Sequence, residues 1–276
     1  MRTSEFNAML AHDEHHWWYR GRRRILRATL DRLALSPRAR LLDAGCGSGR
    51  TLDELAAYGT ASGVDLNPEA VRWARARGHD VRQGRIECLP FADDTFDCVT
   101  CLDVVEHTPD DRVSLQELRR VTRRGGMIVL TVPAHPALWS AHDEVNLHYR
   151  RYTRPALRAL AAGTALELVS ETYFNGLLLP PAAAVRWAQR LRPHAAGRSD
   201  LERTPAVLDR CLEQPLALEA RLIARGRRVP AGLSLLAVLR RPVDSACPPA
   251  TGGPPRVASR SPDRRDGRPA VSRVPP

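Results

Sequence analysis

Arg40-Leu41-Leu42-Asp43-Ala44-Gly45-Cys46-Gly47-Ser48-Gly49-Arg50 is the stretch whose reading decides the fold. Arg40 to Ala44 has the apolar density of a short buried strand, the three glycines make a turn, and Thr51-Leu52-Asp53-Glu54-Leu55-Ala56-Ala57 continues with helical spacing. A strand that feeds a glycine turn and then a helix holds ligands. Glycine takes positive φ and lets a ligand approach the backbone, while the helix start presents free N–H groups. A dinucleotide fingerprint would read G-x-G-x-x-G, but its last position counted from Gly45 falls on Arg50, so the pattern here is G-x-G-x-G. Asp43 also stands where an acceptor-only carboxylate would meet an ammonium or hydroxyl and repel a phosphate. The next strand, Ala61-Ser62-Gly63-Val64-Asp65, ends in a carboxylate placed to accept both hydroxyls of a ribose. The ligand implied is a nucleoside that carries a cation.

Outward from this stretch, Asn67-Pro68 gives an N-cap followed by proline at the first helical position, and a second crossover helix follows. His79 to Gln83 reads as a third strand and Phe96 to Leu102 as a fourth, near-continuously apolar as a buried parallel strand should be. Asp111 to Thr122 reads as a helix with Val113, Leu118 and Val121 inward, and Met127 to Val132 as a fifth strand. Ala165 to Phe174 alternates like an edge strand, and Gly232 to Leu239 is the last strand. Strands alternating with helices predict an α/β fold with a doubly wound, mostly parallel sheet.

The motifs taken together resemble the class I S-adenosylmethionine-dependent methyltransferases, in particular their type 11 branch. Leu42 to Gly49 matches the glycine motif, Gly63 to Pro68 the ribose motif, and Leu89-Pro90-Phe91 with Phe96-Asp97 the region between the third and fourth strands. Val105-Glu106-His107 and Arg124 to Leu130 follow in order, so the resemblance runs roughly from Leu41 to Pro133. It implies a Rossmann-like seven-stranded sheet whose last strand runs antiparallel, and S-adenosyl-L-methionine as cofactor. It assigns cofactor contacts to Asp43, Gly45, Cys46, Gly47, Gly49, Asp65 and Leu66, and at the end of the fourth strand to Asp103 and His107. The family usually has Asp where this chain has Arg85, which leaves the adenine to Ile86 and Glu87. The implied function is methyl transfer to a small-molecule or lipid-like acceptor. The competing readings are a non-catalytic cofactor-binding scaffold, which Arg85 favours, and an RNA methyltransferase, which charge alone favours.

Charge is a weak argument here. The 276 residues carry a net charge of +11, yet all 42 basic residues are arginine. Phosphate-binding surfaces use lysine as well, so coding bias explains the arginines better than a polyanion does, and a nucleic-acid partner is not expected. No stretch reaches the ~18 apolar residues a membrane span requires, which makes a cytoplasmic protein the expectation. The cysteines are scattered, and Cys98 and Cys101 fall on opposite faces of their strand, which speaks for reduced thiols.

Residues 1–35 read as an N-terminal helical lid, 36–240 as the methyltransferase domain and 241–276 as a tail. In the lid, Trp17 and Trp18 stand beside an arginine cluster that includes Arg22. They either cover the cofactor, with an arginine on its carboxylate, or pack the helix on the sheet. The tail has nine prolines and no aromatics from Arg241 to Pro276, so it is expected to be disordered. A helical insertion occupies about 175–232, with Leu212, Leu216, Leu222 and Ile223 on one face and Arg221, Arg225, Arg227 and Arg228 nearby. It reads either as a cap on the sheet or as a helix for peripheral membrane contact with a lipid-like acceptor.

Pro133 to Tyr152 holds three histidines, two carboxylates and two tyrosines, more chemistry than a connector needs. It is expected to hold the acceptor, with Asp143 and Tyr149 among its contacts and His142 or His148 as base. His107 is a further catalytic candidate. His142, Asp143 and His148 match no standard metal-binding spacing, and no metal is expected there.

Overall fold

The computed structural model describes residue 13 and residues 15–191 and 206–243. Among these residues the first helix, α1 (Trp17–Leu30), starts where the His16 side chain accepts the N–H of Trp18. A βαβ series follows: β1 (Ala39–Ala44), α2 (Arg50–Leu55), β2 (Gly59–Asp65), α3 (Pro68–Ala76), β3 (Asp80–Gln83) and β4 (Phe96–Leu102). Next come α4 (Asp111–Val121), β5 (Thr122–Pro133), the short helix α5 (Ala141–Val145), α6 (Arg154–Gly163) and β6 (Glu167–Phe174). The helices α7 (Leu179–Leu191) and α8 (Ala206–Ala224) precede β7 (Ser234–Arg240).

The seven strands form one sheet in the order β3-β2-β1-β4-β5-β7-β6. β7 runs antiparallel to both of its neighbours and the other adjacent pairs are parallel, the arrangement the sequence predicts. The chain reverses its winding between β1 and β4, and a doubly wound sheet opens a crevice at that switch point, beyond the strands' carboxyl ends. β4 lies in the middle and every one of its residues is buried, which is why it is apolar throughout. Cys98 and Cys101 belong to separate apolar clusters, as opposite pleat directions require, and both are free thiols.

Two elements differ from their reading. Val113 is 38% exposed, because the buried stripe of α4 runs through Ser114, Leu115, Leu118 and Val121, and a position five before Leu118 falls off it. β5 begins earlier than Met127: Gly125 at φ +76° admits an irregularity that lets Thr122 pair with Phe96 before the regular ladder starts.

The insertion packs inward. Leu216, Ala220 and Ile223 of α8 join Ile25 and Ala28 of α1 and Phe174, Leu236 and Val238 of the sheet in one buried cluster. Glu213 pairs with Arg20 and Arg24 across the same contact. Burying three such side chains contributes a few kcal/mol, roughly 1.5–3 for each large one, and it spends the apolar face that a membrane-lying helix would need. Arg221, Arg225, Arg227 and Arg228 are exposed. No helix among the described residues is long and apolar enough to cross a membrane. Arg241, where the tail is expected to begin, is instead buried and donates to the carbonyls of Arg119, Arg120 and Thr122. The rest of that tail, 244–276, lies outside the described residues, as do 1–12 of the lid and 192–205 of the insertion.

Candidate functional site

A cavity of about 580 Å³ opens at the carboxyl ends of β1, β2, β3 and β4. Its floor is the glycine turn. Gly45, Gly47 and Gly49 sit at φ +87°, +53° and +86°, the left-handed region that a side chain disfavours. At Gly45 the need is also spatial, since a Cβ there would lie 2.4 Å from Cγ2 of Val104.

Asp43 is 2% exposed and lines the cavity. The register pairs it with Thr100 of β4, whose hydroxyl donates to Oδ1 at 2.6 Å. Burial pushes its carboxyl up to about 6, against the pull of the Thr100 hydroxyl and the Arg22 guanidinium. An anion held this far from water is stabilised by any cation that enters.

Asp65 ends β2 and ties two loops together. Its Oδ2 accepts the N–H of Gly47 and its Oδ1 that of Asn67, each at 2.8 Å, and Asn67 in turn caps α3 through the N–H of Glu69. Each carboxylate oxygen keeps a further lone pair for a hydroxyl group. Burial raises its pKa despite these donors. Leu66 is 56% exposed on the rim, an apolar surface that a flat ligand could cover.

On the third side, Gly84, Arg85, Ile86 and Glu87 follow β3. Arg85 is drawn to Glu87, Nη2 to Oε1 2.8 Å, so its charge is compensated inside the loop. Ile86 is buried. Asp103 follows β4 at φ +57°, which Asp tolerates better than most residues, and accepts from Arg22 Nη1 at 3.1 Å.

The lid is built as a wall. Asp13, Trp18, Tyr19 and Arg22 line the cavity, and Asp13 bonds the Ser48 hydroxyl of the glycine turn and Arg23 of α1. Trp18 stacks on Phe174 at 5.8 Å, which packs the helix on the sheet, and it also lines the cavity. Trp17 does not line the cavity: it packs edge-on against Trp18 over the α1–α8 cluster. Asp13, Tyr19, Ser48, Thr100 and Asn146 are absent from the sequence-based site. For Thr100 the missing signal is strand register, and for Tyr19 it is which face of α1 meets the glycine turn; for the others it is the fold of loops that carry no periodicity.

Of the loop after β5, Asn146 reaches the cavity wall, while His142, Asp143, His148 and Tyr149 do not. Tyr149 is 57% exposed, its N–H donating to the carbonyl of Glu106. His142 is engaged by the Asn146 side chain. Asp143 is fully buried, accepting from His148 Nδ1 at 2.9 Å, from Arg151 Nε at 2.7 Å and from the N–H of Ser140. Burial alone would raise its carboxyl, but the bonds from His148 and Arg151 hold it well below the ordinary range. His107 is the histidine on the cavity wall, in edge contact with His148 at 4.6 Å. Burial and then the neighbouring His148 push its pKa down to about 3. Glu106 is 1% exposed, and burial and then Asp103 push its carboxyl well up.

Comparisons with known proteins bear on the family and the fold. A family model described as a methyltransferase domain matches residues 42–130. A ubiquinone biosynthesis O-methyltransferase of Xanthomonas oryzae is 32% identical over 176 residues, 56% of this chain and 70% of that one. A 37.1 kDa transposon-encoded protein of Streptomyces fradiae is 35% identical over 134 residues, 45% of this chain; the match spans only 39% of that protein's length. Among solved structures, the complex between the Haloferax volcanii Trm112 methyltransferase activator and a methyltransferase superposes with a TM-score of 0.57 at 20% identity. That match covers 87% of this chain and 95% of the other, and at this identity it speaks to the fold alone.

Proposed function

Because this chain belongs to the class I S-adenosylmethionine-dependent methyltransferases, we propose that it transfers the methyl group of S-adenosyl-L-methionine to a small-molecule or lipid-like acceptor. The observation that carries the reading is the convergence of a buried carboxylate, three left-handed glycines and a second carboxylate on one cavity. These residues fit the cofactor by their own chemistry. Asp43 is a buried carboxylate for the cationic methionine end. Asp65 has lone pairs left for two ribose hydroxyls, and Ile86 with Leu66 offers apolar surface to the adenine. Arg22 stands beside Asp43 as the cation for a carboxylate, shared with Asp103. Arg85, neutralised by Glu87, leaves the adenine side without a net charge, so the departure from the family pattern does not by itself argue for a non-catalytic scaffold.

When bound, the cofactor supplies an electrophilic methyl on a sulfonium, whose displacement disperses charge; positioning and exclusion of water therefore serve it well. The acceptor enters at the end of the cavity walled by Asp103, His107, Thr108 and Asn146. The Asp143–His148 pair stands behind that wall. A hydroxyl or ammonium acceptor must lose a proton there.

Calorimetry with S-adenosyl-L-methionine tests the first half of the reading. Incubation with methyl-labelled cofactor and a fractionated extract tests the second. Saturable binding followed by label in a low-molecular-weight or lipid fraction supports it, and label in RNA, or none in any fraction, overturns it.

A further inference from the structure

Glu106, His107 and His148 each offer a ligand atom within 4.8 Å of the others. They come from two separated segments: the first two follow β4, and the third lies in the loop after β5. Two of the groups have unused bonding capacity inside the protein. Oε2 of Glu106, on a side chain 1% exposed, and Nδ1 of His107 are buried without a hydrogen-bond partner. Such orphans are costly, and buried polar groups left this way call for an explanation.

From this cluster we infer that the protein binds a divalent transition-metal cation on Glu106, His107 and His148, with the open side of the ion toward the cavity that His107 lines. Three features of the donor set support the choice of ligand. Two imidazoles and one carboxylate suit zinc-like ions better than magnesium or calcium, which prefer oxygen shells. His148 has its Nδ1 committed to the buried Asp143 carboxylate at 2.9 Å, which fixes the tautomer and leaves Nε2 as the lone-pair nitrogen; a carboxylate behind a metal-binding histidine is the usual support for one. Asp143 is itself anchored by Arg151 and Ser140, so the ring is held in orientation. Ligands about 2.0–2.1 Å from a tetrahedral ion stand roughly 3.4 Å apart, so the cluster needs to contract by at most about 1.4 Å, within reach of side-chain rotation. Among the described residues, this is the cluster of three potential metal ligands that the fold assembles.

The site is distinct from the metal reading that the loop sequence suggests and rejects, since Asp143 supports the ion from behind and His142 takes no part. It deepens the methyltransferase reading, on which it rests for its role: an oxygen of the acceptor would complete the coordination from the cavity side. Its existence does not depend on that reading.

The probe is Co²⁺, titrated into the metal-free full chain and followed by its visible d–d absorption, with Zn²⁺ competition. One equivalent should bind with a Kd of micromolar order or tighter and be displaced by Zn²⁺. Glu106→Gln and His148→Gln should each weaken it at least tenfold, and His15→Gln, an exposed histidine, should not. His107→Gln is the companion variant at the cavity surface, where folding is least at risk; its melting curve is recorded beside its Co²⁺ affinity. Unchanged affinity in a folded His107→Gln, absence of a saturable site, or an intense near-ultraviolet sulfur-to-cobalt band placing the ion on a cysteine would each overturn the inference. Calorimetry with S-adenosyl-L-methionine on the same samples separates the two proposals: a chain that binds cofactor and no cobalt refutes only the cation site, and the converse refutes only the methyltransferase reading.

Discussion

Replacing Asp65 by Asn changes one atom in the carboxylate and tests the assignment of the ribose. The carboxylate now accepts two backbone N–H groups, from Gly47 and Asn67, one on each oxygen at 2.8 Å. An amide has one oxygen, so whichever way it turns, its NH₂ confronts an N–H at the other end. Losing one bond to a charged group and leaving that donor unpaired should cost about 1.5–3 kcal/mol of stability. In a domain of this size that is a fall in Tm of about 3–12 °C. The effect on cofactor is separate. With one acceptor oxygen gone and the glycine turn released from β2, binding should weaken by about 2–4 kcal/mol, roughly 30- to 900-fold in Kd. Isothermal titration calorimetry with S-adenosyl-L-methionine gives the second number, and thermal unfolding without ligand gives the first. A variant that melts lower but binds with unchanged affinity would refute the ribose contact and leave Asp65 as a brace between two loops.

Other substitutions test other walls of the site. Gly45→Ala puts a Cβ at φ +87° against Val104, so strain and overlap of about 2–4 kcal/mol together should lower Tm and abolish measurable cofactor binding; near-normal binding would mean the turn adapts freely. Asp43, at about 6 in the ligand-free protein, is more basic than an ordinary Asp. As pH falls through 6 it takes up a proton, and affinity for the cationic cofactor should weaken toward tenfold per pH unit, a dependence that Asp43→Asn removes. A flat wild-type profile from pH 7 to 5 in calorimetry would argue against contact with the cationic end. The same shift has the opposite sign for folding without ligand: stability is greater at low pH and falls as pH rises from the unfolded value through 6. His148→Gln should lower turnover by ~10²–10⁴ with cofactor affinity nearly unchanged, whereas His142→Gln, whose ring is engaged by the Asn146 side chain, should keep most of it; full turnover in both variants would show that the loop is only a structural lid.

What could be read without coordinates was whatever is written in local pattern. β4, buried on both faces, has no polar alternation to confuse its reading, and the turn from Gly45 to Gly49 announces its backbone because three positions need a conformation that glycine alone takes freely. The part of the cavity proposed for the cofactor, Arg22 apart, follows directly, since Asp43, the three glycines, Asp65 and Ile86 sit within a few positions of a strand's carboxyl end. The acceptor half is less legible, because its parts meet through packing that no spacing encodes. In the loop after β5, composition alone marks His142, Asp143 and His148 as equivalent candidates. What separates them is the capping box of Ser140 and Asp143: it turns the carboxylate inward, where Arg151 and then His148 satisfy it. Once Asp143 is used in this way His148 is drawn in behind His107, while His142, one residue before Asp143 on the same short helix, meets His148 edge-on at 6.2 Å and is engaged by the Asn146 side chain. Near His148 stands Glu106, which the sequence offers only as part of a family motif. Two residues 42 positions apart become one cluster because β4 and β5 are adjacent strands, and that adjacency is a property of the sheet order rather than of either segment.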